Sequence, residues 1–327
     1  MSATLTPAAE PPAAAKATTG TSDGSAGVLT RHAPLRRVTM LVNPLAGGVG
    51  PGAAGEAGAI LDRYACEASV VTLEAGRFDD QIAAALEARP DVLFVLAGDG
   101  TAGRIASRAG PDGPLVAPLP GGTMNMLPRA LYGTGDWKAA LKVALEEGAP
   151  QGVSGGEVSD GEFTRTFYCA AIFGSPALWA PAREAIRVGK PSLAWAYARR
   201  ALKRAFTGQM RFALDGRPPQ RAEALVLISP MISRAMEEDT GLEAAAMNPA
   251  DAGEVFRLAA HAVLDDWRQD PAVTTRATQR VDMRARSRIP AVIDGEPVLL
   301  RHRARVRFIG RAFQALAPIP AAAEDSV

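Results

Sequence analysis

A chain of 327 residues, 47% of them hydrophobic, carries enough apolar side chains for a sizeable core, and its length favours two domains over one. Its 36 basic and 35 acidic residues leave a formal charge of +1, which rules out neither a membrane nor a nucleic acid but removes any global basic field as an argument for either, so local charge must decide; no nucleic-acid partner is expected. Two distant cysteines, Cys66 and Cys169, and three scattered histidines, His32, His261 and His302, give no disulfide framework and no close metal-ligand spacing.

In chain order, residues 1–35 are rich in Ala, Pro, Thr and Gly without a basic start followed by an apolar core, and read as a disordered tail rather than a signal peptide. No stretch approaches the roughly 18 uncharged apolar residues of a membrane-spanning helix, so any lipid is met from outside the bilayer; the two unpaired cysteines fit a reducing cytoplasm. Order is predicted from Arg36, with a buried strand over 37–42 that stops at Asn43-Pro44. Helical spacing over 53–65, 78–89 and 136–147 alternates with apolar runs at 68–73, 91–97 and 115–119. This pattern predicts an α/β fold, a doubly wound and mostly parallel sheet, over 36–150.

The glycine-rich stretch 148–161 marks the expected domain boundary. Beyond it, short strands at 163–173, 209–214, 222–229, 279–288, 291–294, 297–302 and 303–309 predict an antiparallel, β-sandwich-like domain over 151–318. A helical insertion over 176–207 interrupts it, and 319–327 reads as a tail.

The strongest local pattern is the apolar run 92–97 followed by Gly98-Asp99-Gly100-Thr101 and a helical 102–107. A glycine turn between strand and helix lets backbone N–H groups approach a polyphosphate, and the helix dipole favours its charge. A second such turn, Pro120-Gly121-Gly122-Thr123-Met124-Asn125, follows the strand 115–119, and Asn43-Pro44-Leu45-Ala46-Gly47-Gly48 follows the first strand. In a parallel sheet all three loops emerge at one carboxyl edge, where open α/β folds bind ligands. Further on, Ile293-Asp294-Gly295-Glu296-Pro297 reads locally as a hairpin turn.

These four motifs, in this order and at these separations, resemble the catalytic domain shared by diacylglycerol kinases, sphingosine kinases and their bacterial lipid-kinase relatives, with the likeness running over about 36–318. The resemblance implies an ATP- and Mg2+-dependent lipid kinase. Asn43, Gly98, Asp99, Gly100, Thr101, Gly122, Thr123, Asn125 and Glu296 would line the nucleotide site. Asp294 and Asp99 compete for the role of general base; Asp294 is favoured, with Asp99 on the magnesium side.

The chain departs from the family pattern where Met126 replaces an acid, where Gly48 replaces a phosphate-facing lysine, and in the acidic run 237–243, whose spacing does not match the relatives' structural metal site. Basic residues within 193–206, and arginines alternating over 280–288 and 301–307, suggest peripheral contact with an anionic membrane at its inner face. Two other motifs are decoys. The G-x-G-x-x-G of 50–55 begins too far from its strand for a dinucleotide site, and the G-x-S-x-G of 152–156 lacks the strand and helix of a nucleophile elbow. An NAD kinase-like phosphotransferase and a non-catalytic nucleotide- or lipid-binding relative are the alternative readings.

Overall fold

The computed structural model describes residues 35–174, 177, 210–233, 240–247 and 273–319, which belong to one compact unit. The expected N-terminal tail, the helical insertion and the acidic residues 237–239 lie outside these residues.

Four strands open the chain: β1 (Arg37–Val42), β2 (Glu67–Thr72), β3 (Val92–Ala97) and β4 (Leu115–Pro120). They pair in parallel in the order β2-β1-β3-β4. The helices α1 (Ala53–Leu61), α2 (Phe78–Glu87), α3 (Asp99–Ala109), α4 (Met126–Tyr132) and α5 (Trp137–Glu147) cover both faces. A strand buried on both sides must be apolar throughout, and β3, Val-Leu-Phe-Val-Leu-Ala, is fully buried. Its alternate residues serve different cores. Val92, Phe94 and Leu96 pack with α1 and α5 on one face, and Leu93, Val95 and Ala97 with α2 and α3 on the other. Glycines stop two helices that carry the site: Gly110 after α3 and Gly133 after α4 both have positive φ, 66° and 68°.

The stretch expected to mark a boundary is itself a strand, β5 (Gly148–Ser159). Its glycines have a packing reason: a Cβ on Gly155 or Gly156 would collide with Phe167. The strands β6 (Thr164–Phe167), β7 (Ala170–Gly174), β8 (Met210–Leu214), β9 (Gln220–Ala222), β10 (Ala224–Ile228), β11 (Leu242–Met247), β12 (Val273–Thr278), β13 (Arg280–Arg284), β14 (Ile289–Ile293), β15 (Glu296–Leu300) and β16 (Arg303–Pro318) follow.

An antiparallel sheet runs β12-β11-β10-β7-β14-β15. The second sheet is mixed, because the long β16 joins β4 in parallel and β13 and β5 antiparallel, so the parallel sheet continues into β13, β8 and β9. A core that includes Phe167, Phe173, Phe212, Leu227 and Val281 fills the space between the two sheets. The α/β fold followed by antiparallel sheets is therefore present, with β16 shared across the expected boundary.

Candidate active site

The three glycine-bearing loops leave the carboxyl ends of the adjacent strands β1, β3 and β4, as their sequence order predicts. Backbone hydrogen bonds join them. Asn43 N donates to Leu96 O at 2.9 Å, Gly48 N to Gly121 O at 2.9 Å, and Gly121 N to Ala97 O at 3.1 Å. Their approach demands glycine: a Cβ on Gly122 would stand 2.7 Å from Gly98 Cα, and one on Gly121 2.7 Å from Ala97 N. At Gly48 a Cβ would meet Gly121 O at 3.1 Å, so a side chain there has to push the neighbouring loop aside.

The two asparagines shape these loops. Asn125, left-handed with φ 52°, accepts at Oδ1 from Gly122 N (2.7 Å) and donates from Nδ2 to Gly122 O (2.9 Å). Asn43 accepts at Oδ1 from Leu45 N (3.1 Å) and points Nδ2 at Thr101 Oγ1 (3.5 Å). Thr123 is exposed at the rim. Asp99 opens α3, and its carboxylate accepts from Met126 N and Leu127 N, each at 3.3 Å, which satisfies two of the unpaired N–H groups that start α4. The residue lacking the relatives' acid, Met126, thus sits directly on Asp99.

Asp294 and Gly295 form the two-residue turn between β14 and β15, with φ 44° and 85°. Positive φ at both central residues is what the favoured hairpin turn requires, and an Asp-Gly pair meets it at low cost. The turn also aims the Asp294 side chain at the segment between β6 and β7. Its carboxylate accepts from Tyr168 N (2.8 Å), Cys169 N (3.0 Å) and Ala170 N (3.0 Å). A carboxylate offers about four lone-pair sites, so room remains for one further donor. Burial pushes the Asp294 carboxyl above its ordinary range, the three N–H donors pull it down, and the charge of Asp99 adds to the rise. Burial, then the charges of Asp294 and Asp99, raise the Cys169 thiol too.

A cavity of about 650 Å³ lies between these elements and extends along one face of α3, lined by Asp99, Gly100, Thr101, Arg104, Asp294 and Glu296 among others. Glu296 bends over Gly100, whose missing Cβ makes the space, and pairs with Arg165 of β6 at 2.7 Å. Phe78 closes the far end, 5.9 Å below the Arg104 guanidinium. Tyr168 fixes the wall: its hydroxyl is 2.8 Å from Ser107 Oγ and its ring meets Phe313 edge-on at 5.0 Å.

Of the predicted site residues, Asp99, Gly100, Thr101, Asp294 and Glu296 share this cavity. Asn43, Gly98, Gly122, Thr123 and Asn125 form the adjoining loops. The sequence reading passed over Arg165, Ser107, Arg104, Arg108 and Phe78. Helical spacing from Gly100 through Arg104 to Ser107 and Arg108 was the available signal for three of them; nothing local marks Arg165.

Residues 37–156 match the family described as the diacylglycerol kinase catalytic domain, the family that the loop motifs resemble. Comparison with curated proteins finds no match. Among solved structures, one described as a diacylglycerol kinase from Bacillus anthracis str. Sterne shares 12% identity at a TM-score of 0.63, and covers 88% of this chain and 99% of its own. A second, a candidate diacylglycerol kinase from the same organism, shares 16% identity at a TM-score of 0.66, with the same coverage. At such identities the likeness is one of fold.

Among the described residues no helix is long and apolar enough to cross a membrane, and no three His, Cys, Asp or Glu side chains gather into a metal cage. Magnesium usually keeps several waters and takes one or two carboxylates together with substrate phosphates. Asp99, on the cavity wall, suits an ion that arrives with a nucleotide.

Proposed function

We propose that the protein is an ATP-dependent lipid kinase that transfers the γ-phosphoryl group to the hydroxyl of a diacylglycerol-like or sphingoid lipid. The observation that carries this reading is the opposition of two separate parts of the chain across one cavity. Asp294 and Glu296, from the β14–β15 turn, face Asp99, Gly100 and Thr101 beside the three-loop cradle. The N–H groups that open α3, at the centre of the three loops, would hold the phosphates, and the groove toward Phe78 would take the nucleoside.

Bound Mg2+ would offset the charge of the phosphates. Asp294 accepts the proton of the lipid hydroxyl as its oxygen bonds the γ-phosphorus; the bond from that phosphorus to the β,γ-bridging oxygen breaks, and ADP leaves. Burial raises the proton affinity of Asp294, which suits a base. On this reading residues 36–150 supply the nucleotide cradle and 151–318 the base and the acceptor side, in a cytoplasmic enzyme working at the inner membrane face.

The test is incubation with γ-labelled ATP and Mg2+ against separate pools of diacylglycerol, monoacylglycerol, sphingoid base, polyprenol and NAD. Label in a lipid pool is expected. Label in NAD alone would overturn the reading, as would ATP binding without any labelled product, which would make the protein a non-catalytic relative.

A further inference from the structure

The mixed sheet turns one face toward the inter-sheet core and the other outward, and the outward face carries an unusual ladder. Strand register sets Arg221 of β9 opposite Arg211 of β8, Arg211 opposite Arg284 of β13, and Arg284 opposite Arg303 of β16. Directly opposed side chains on neighbouring strands stand about 5 Å apart at Cβ, and like charges so placed repel. Evolution of a stable fold alone would place acids in this row, as happens in the adjoining rows of the same face. Asp282 there pairs with both Arg280 and Arg305 at 2.9 Å, and Glu157 with Arg307 at 2.8 Å. Within the ladder Arg221 has a partner, whereas Arg211, Arg284 and Arg303 are exposed and have no ion pair or side-chain hydrogen bond among the described residues. Arg286 and Arg288, equally exposed, continue the charge into the turn that leaves β13.

We propose that this end of the sheet is a docking surface for the headgroups of an anionic phospholipid bilayer. One feature favours a membrane over a polynucleotide. The outward face of β8, β13 and β16 presents no aromatic side chain among the described residues on which a base could stack. Pleated-sheet geometry makes the ladder a flat row of neighbouring charges, suited to an array of phosphates rather than to one enclosed ligand. The inference rests on the lipid-kinase reading for its purpose, since the acceptor lipid resides in a membrane, but the binding itself needs no catalysis.

The experiment is co-sedimentation of the full chain with phosphatidylcholine vesicles and with vesicles that also contain phosphatidylglycerol, for the wild type, for R211Q/R284Q/R303Q, and for the charge-matched control R63Q/R77Q/R89Q. Each arginine near an anionic surface strengthens binding about fivefold, so the ladder variant is expected to lose about a hundredfold on the anionic vesicles. The control is expected to bind within about twofold of wild type. Thermal unfolding checks the fold, and the ladder variant should melt no lower than wild type because it relieves repulsion. Equal loss in both variants, unchanged binding of the ladder variant, or wild-type binding to RNA but not to anionic vesicles would each overturn the proposal. Phosphorylation of a detergent-dispersed short-chain lipid acceptor separates the two ideas: the ladder variant should keep wild-type turnover there. Vesicle binding by a protein that phosphorylates no lipid would sink the kinase reading and leave the surface standing.

Discussion

Gly100→Ala isolates the contact between the two parts of the site. Gly100 is the second residue of α3, and a methyl group there overlaps Glu296 Oε1, the far end of a flexible side chain that can move away. Moving it breaks the 2.7 Å pair with Arg165, whose side chain is 25% exposed while that of Glu296 is 53% exposed. A pair so open to solvent contributes about 0–1 kcal/mol. Against this loss, alanine is favoured over glycine within a helix by up to about 1 kcal/mol. The two terms nearly cancel, so the melting temperature should stay within about 4 °C of wild type. If Glu296 contacts the nucleotide, its displacement removes a hydrogen bond to a charged group worth roughly 1.5–3 kcal/mol, and KM for ATP should rise about tenfold or more. Steady-state kinetics with a fixed lipid acceptor reads this directly. The double variant with Glu296→Ala should be no worse than Glu296→Ala alone, because both act through one side chain. An unchanged KM in a folded Gly100→Ala protein, or additive losses in the double variant, would refute the argument.

Two other substitutions probe the remaining supports. Asp294→Asn keeps the size and the tolerance of positive φ, but its NH2 faces at least one of the three backbone donors. Turnover should fall by about 100-fold or more, with about 1–3 kcal/mol of lost stability in urea titration. Because burial raises the Asp294 pKa, wild-type kcat should fall on the acid side at a higher pH than an ordinary carboxylate would give. That limb should be missing from the residual activity of Asp294→Asn, and its persistence would assign the base elsewhere. The linked stability has the opposite sense: a raised folded-state pKa favours the fold below the unfolded pKa, and that contribution is lost as pH rises through the folded one. Gly122→Ala places its methyl against the backbone of Gly98, which cannot yield as a side chain can. It should cost about 1–3 kcal/mol and abolish detectable ATP binding by calorimetry; normal binding would show that the loops tolerate separation.

How far the sequence reaches can be seen strand by strand. β3 is legible because a strand covered on both faces has to be apolar at every position, and Val92–Ala97 is. The three loops are legible because backbone approaching backbone requires glycine, and Gly98, Gly121 and Gly122 supply it. Asp294-Gly295 is legible as a turn because few other pairs accept positive φ twice. By contrast, β5 reads as a boundary because glycines weaken any local strand signal. It is a strand because β16, more than a hundred residues later, supplies its partners and Phe167 fills the space its glycines leave. The alanine-rich β11, Leu-Glu-Ala-Ala-Ala-Met, has no strand signature either and takes its form from β10 and β12.

The same division runs through the site. Local chemistry by itself determined a phosphate-suited cradle at the edge of a parallel sheet and a late acidic turn, because φ preferences and strand order act over a few residues. Tertiary structure alone decided that Asp294 is held by the amides of Tyr168, Cys169 and Ala170, that Glu296 rests on Gly100 beside Arg165, and that four arginines align across β9, β8, β13 and β16. Those pairings depend on the register between strands far apart in the chain. A one-residue slip would turn each side chain to the opposite face, and no local propensity sets that register.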